Sequence, residues 1–126
     1  MSTLLDRFLR YVAIDTQARE HAGTYPSSPN QLVLGAMLRD ELLAMGLTDA
    51  RQTEYGIVHA TIPGNVPGAP VVAFNSHVDT SPETTATNVK PQIIRGYAGG
   101  DIALPGDPTK VIRVEDNPEL KHLNRY

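Results

Sequence analysis

The sequence predicts an α/β fold, with helices packed on a mixed, largely parallel sheet. Two helical segments come first and short strand-like runs follow. The most apolar of those runs, Val71-Val72-Ala73-Phe74, is continuous rather than alternating. A continuous apolar run bounded by chain-breaking residues suits a strand buried on both faces, the arrangement of parallel sheets covered by helices.

Thr3 to Ile14 forms the first amphipathic helix in this reading. Leu4, Leu5, Phe8, Leu9 and Val12 recur at three- and four-residue intervals, with Arg7 and Arg10 opposite. Thr3 and Asp6 supply a capping pair. Gln17 to Tyr25 has no period and reads as a loop. The second helix opens with Ser28 as N-cap, Pro29 in the first helical position and Gln31 completing a capping box. Its apolar side is Leu32, Met37, Leu38, Leu42 and Met45, and Gly46 is the stop.

Strand-like pieces follow. Ala50 to Glu54 reads as a polar edge strand, and Tyr55-Gly56 as a turn into Ile57–Ile62. Pro63 to Pro70 is full of breakers, and Val71 to His77 is the expected buried strand. Beyond Ser81 the chain reads as loop with short extended pieces at Gln92–Ile94 and Val111–Val114. Ten glycines and ten prolines, most of them from Pro63 onward, make the second half turn-rich.

Composition narrows the function. The 126 residues carry 11 basic and 14 acidic side chains, a formal charge of -3, which argues against nucleic acid and anionic membrane surfaces as partners. The absence of cysteine excludes disulfides, thiolate zinc sites and cysteine catalysis. No apolar run approaches the roughly 20 residues of a membrane span, and the start has no signal-peptide core, so the expected compartment is the cytoplasm.

The residues best placed for chemistry are Ser76-His77-Val78-Asp79-Thr80-Ser81-Pro82, where the apolar strand runs out into a loop. Ligand sites of open α/β sheets lie beyond the carboxyl ends of strands. Residues two apart in an extended segment project to one side, so His77 and Asp79 point together. An imidazole with a carboxylate behind it suits a metal ligand and the group that orients it. By itself, His-x-Asp is short and common, and a solvent-exposed pair in a turn is its more frequent outcome. His59 reads as a packing or edge residue, while His21 and His122 read as surface positions. Gly99-Gly100 reads as a tight turn. Asp101, Asp107, Glu115 and Asp116 have no partner histidine at metal spacing, so the sequence holds only part of a metal site.

A resemblance makes these residues specific. Leu4-Leu5-Asp6-Arg7-Phe8-Leu9-Arg10-Tyr11-Val12 with Asp15-Thr16-Gln17, Ile62 to Gly68, Phe74 to Pro82, Asn88 to Ile93 and Tyr97 to Leu104 together resemble the N-terminal part of the peptidase T family. That family comprises tripeptide aminopeptidases of the co-catalytic zinc exopeptidase superfamily. The resemblance implies a partial zinc-exopeptidase catalytic domain spanning 1–126, truncated, with the rest of that domain and a lid domain absent. It implies two Zn2+ ions per complete site, with His77 as a metal ligand and Asp79 as an active-site residue. It further implies a tripeptide substrate that loses its N-terminal residue. The family's bridging aspartate, glutamate base and remaining ligands have no counterpart here, so the expectation is a chain inactive alone and poorly soluble. Two other readings stand beside it, a non-catalytic remnant or interaction module and a related N-acyl amino acid hydrolase. Thr80-Ser81-Pro82 and Gly99-Gly100-Asp101 count against the hydrolase.

Overall fold

A computed structural model describes residues 3–125, which fall into two units divided between Pro91 and Gln92. Helix α1 spans Leu4–Tyr11, shorter than the periodicity extends. Its start is a full capping box: the Asp6 amide donates to Thr3 Oγ1 (3.1 Å) and the Thr3 amide to Asp6 Oδ2 (2.9 Å). The Thr3 amide and hydroxyl hold the Asp6 carboxyl below its usual range. The apolar stripe of α1 is not a core face, since none of its residues is buried.

Helix α2 spans Pro29–Ala44, with Ser28 extended at the N-cap and Pro29 in the first turn. Its C-terminus is a Schellman stop. Gly46, at φ +93°, donates its amide to the Leu43 carbonyl (2.9 Å), and the Leu47 amide reaches back to Leu42 (3.1 Å). Two expectations for α2 are corrected. No side chain caps its start. Gln31 is buried and directs its amide away, to the Thr16 carbonyl (3.2 Å) and Ser27 Oγ (3.2 Å). The buried positions are Gln31, Leu34 and Gly35, whereas Met45 lies exposed.

Gly35 is where a hairpin settles on α2. Strands β1 (Arg51–Gln52) and β2 (Val58–His59) pair antiparallel, Arg51 facing His59 and Gln52 facing Val58. Gln52 Nε2 donates to the Leu32 carbonyl (3.0 Å), and a Cβ on residue 35 would lie 2.3 Å from that nitrogen. A side chain at this position would push the Gln52 amide off the Leu32 carbonyl. Thr53 closes the turn, accepting from the Gly56 amide (3.0 Å) while its own amide reaches the Ile57 carbonyl (2.9 Å). Leu34 and Ala50 are the buried apolar side chains among the described residues.

The sheet differs from expectation. The chain is a small α/β structure with two small antiparallel sheets, and the largely parallel sheet does not form. Val71–His77 forms no strand, and Val71 and Phe74 are 97% and 95% exposed. A parallel strand needs a neighbour delivered by a crossover connection. The strands that form here are hairpins, whose partners lie a turn away.

In the second unit, β3 (Ile102–Leu104) pairs antiparallel with β4 (Asp107–Ile112) around Pro105-Gly106, with an irregularity between Ala103 and Leu104. Gly99 and Gly100 both take positive φ ahead of β3, and the Tyr97 hydroxyl donates to the Gly100 carbonyl. Asp101 accepts from the Val114 amide (3.0 Å) and pairs with Arg113 (3.6 Å) across the hairpin base. Gln92–Ile94 is not a strand, and a 3-10 helix spans Pro118–Arg125.

Candidate functional site

The His77 and Asp79 side chains meet, as the two-residue spacing predicts. His77 Nδ1 lies 3.1 Å from Asp79 Oδ1. A carboxylate in that position accepts the Nδ1 proton, which presents Nε2 as the unprotonated nitrogen. The imidazole is 82% exposed and the carboxylate 46%, so Nε2 is open to a ligand. Both residues line a groove of about 880 Å³ whose walls include Tyr25, Gln31, Leu38, Leu42, Val58 and Phe74.

What holds the chain just beyond Asp79 lies in the Asp15–Ala18 segment. Gln17 bridges Thr80 in parallel fashion, and the Ala18 amide donates to the Thr80 carbonyl (2.9 Å). Gln17 Nε2 donates to the carbonyls of Ser81 (3.3 Å) and Thr84 (2.6 Å). Asp15 takes the Thr87 hydroxyl on Oδ2 (2.7 Å) and the Gln17 amide on Oδ1 (3.1 Å). Those two donors, the Thr87 hydroxyl first, hold the Asp15 carboxyl below its usual range.

Elsewhere in the groove wall, Glu41 of α2 gathers three groups from α1. The Arg10 guanidinium and the Tyr11 hydroxyl both donate to it, and Arg7 Nε stands 3.7 Å away. Burial, and then the Glu41 carboxylate beside it, push the Tyr11 hydroxyl above its usual pKa. Sequence periodicity gave no sign of this cluster, because its members are 30 or so residues apart.

His59 sits exposed on β2, opposite Arg51, and lines the same groove. His21 and His122 are exposed. Among the described residues, no three His, Asp or Glu side chains are grouped to hold a metal ion. His77 with Asp79 therefore fits one zinc ligand and its orienting carboxylate, and does not fit a complete site, which takes three protein ligands. No helix among the described residues is long and apolar enough to cross a membrane.

Comparison with known proteins places the whole chain against one set of relatives. A peptidase T of Vibrio parahaemolyticus is 42% identical over 127 residues, covering 100% of this chain and 31% of the relative. A peptidase T of Desulfitobacterium hafniense (strain Y51) is 47% identical over 121 residues, covering 95% of this chain and 29% of the relative. A peptidase T of Escherichia coli (strain K12 / DH10B) is 48% identical over 105 residues, 82% of this chain and 26% of the relative. The chain thus spans less than a third of the length of these curated relatives. No protein-family profile matches it.

Proposed function

This chain is a relative of peptidase T along its whole length, and from that premise we propose that it carries one part of a zinc-dependent tripeptide aminopeptidase site. In this reading His77 is a zinc ligand through Nε2, Asp79 orients it, and the protein acts in the cytoplasm. The observation that carries the reading is the 3.1 Å approach of Asp79 Oδ1 to His77 Nδ1 at an exposed position. Zinc, when bound, supplies a Lewis acid for the peptide carbonyl and an acidified water. The chain's own residues do something narrower. Asp79 fixes which imidazole nitrogen bears the proton, and Nε2 is left with its lone pair toward solvent.

One imidazole and one carboxylate do not make a catalytic centre, so the described residues by themselves should not turn over a tripeptide. An assay of the 126-residue chain with added zinc and a tripeptide should show no release of the N-terminal residue above buffer. Zinc titrated into the same chain should shift the His77 ring resonances, and His77→Ala should remove the response. Robust turnover would overturn the inactivity, and an unresponsive His77 would overturn its part as a ligand. A second reading, a non-catalytic interaction module, draws on the bared apolar run at Val71 and Phe74. Zinc binding at His77 would count against it.

A further inference from the structure

We propose that Gln17, together with Asp15 and Thr87, forms a strap that positions the His77–Asp79 pair; the proposal rests on the reading of that pair given above. The segment that carries the pair belongs to no strand among the described residues and has no sheet neighbour to fix it laterally. Its nearest restraint is at Thr80, one residue beyond Asp79, where the Ala18 amide donates to the Thr80 carbonyl at 2.9 Å. Gln17 then spans the following loop with both amide hydrogens, to Ser81 (3.3 Å) and Thr84 (2.6 Å). Asp15 closes the loop through the Thr87 hydroxyl at 2.7 Å. A strap works only if its other end is fixed, and this one is. Thr16, 2% exposed, gives its carbonyl to buried Gln31 of α2.

A hydrogen bond near 3.1 Å weakens steeply with misalignment, so a loop free to swing from Thr80 would loosen Asp79 from His77. The strap residues touch neither side chain. They act by holding the backbone from which both project, which makes them positioning residues.

The test uses the full chain with 15N-labelled histidine, read at about pH 8, above the ordinary imidazole pKa of about 6.5. Gln17→Ala and Thr87→Val, the second nearly isosteric, should shift His77 from the Nδ1–H tautomer toward Nε2–H. They should also weaken zinc at His77 by about tenfold, the low end of what loss of a group behind a ligand costs. Thr87→Ser keeps the hydroxyl and should restore both readings. Asp49→Ala removes a different surface contact, the acceptor for the Thr61 amide (3.0 Å), and should leave His77 unmoved. An unchanged tautomer in both Gln17→Ala and Thr87→Val overturns the strap. If zinc never perturbs His77 in the unmodified chain while these variants still shift its tautomer, the zinc reading falls and the strap stands.

Discussion

Two apolar stretches of the first unit meet opposite fates. The α2 face with Leu34 and Gly35 lies under the β1–β2 hairpin and is buried, while Val71–Phe74 is more continuously apolar and lies bare. The difference is in how each finds a partner. The hairpin begins only seven residues beyond the end of α2, and turn chemistry at Thr53 and Gly56 returns it onto the helix. A strand of a parallel sheet depends on neighbours remote in sequence, and none of the described residues provides one. Hydrophobicity states a demand for burial, and the chain meets it only where a partner is close at hand.

The sharpest way to break the comparison is to truncate one residue on each side of it. Leu34→Ala should cost about 2–4 kcal/mol in urea unfolding, the usual range for a buried leucine. Phe74→Ser should change stability by no more than about 0.5 kcal/mol, as for other exposed positions, while reducing aggregation at high concentration. Equal losses at the two sites would mean that Phe74 is packed in solution and the contrast is false.

Gly35→Leu probes the close approach itself and should cost about 1–3 kcal/mol through overpacking, since the new side chain meets Gln52 and the Gly56 carbonyl. If the variant unfolds at the same urea concentration as the unmodified chain, the hairpin does not rest on α2 as described.

These outcomes also explain what was legible in the sequence. Both helices were, because Thr3 with Asp6, Pro29 and Gly46 act within a turn of themselves. Even there, Gln31 departed from its expected cap. A buried amide near the Thr16 carbonyl and the Ser27 hydroxyl satisfies both of its hydrogens, which a capping box leaves undone. The β3–β4 hairpin was missed although Leu104-Pro105-Gly106-Asp107 is a turn signal, because Ile102-Ala103-Leu104 is short and does not alternate, and Asp107 to Lys110 is polar and carries Pro108 inside the strand. The shared direction of His77 and Asp79 followed from the two-residue period alone. The strap from Asp15 to Thr87 could not be read, since it joins positions 72 residues apart.

The smallest expected effect concerns that strap and pH. The Thr87 hydroxyl and the Gln17 amide lower the Asp15 pKa in the fold relative to the ordinary 3.8, so their contribution is fully present above that value. It is lost as pH falls through the lowered pKa. Exchange of the Ala18 amide should therefore speed up beyond its intrinsic pH trend only in strong acid. Asp15→Asn should abolish that excess, and an excess that survives the substitution would assign it to another group.

The Glu41 cluster has a consequence of its own. Helix α1 buries no side chain, yet three of its residues converge on that one carboxylate. Its attachment is therefore ionic and phenolic in character, with little oil in it. Molar salt, which thins such attractions to a range of a few ångströms, would undock this helix well before it disturbed the rest of the unit.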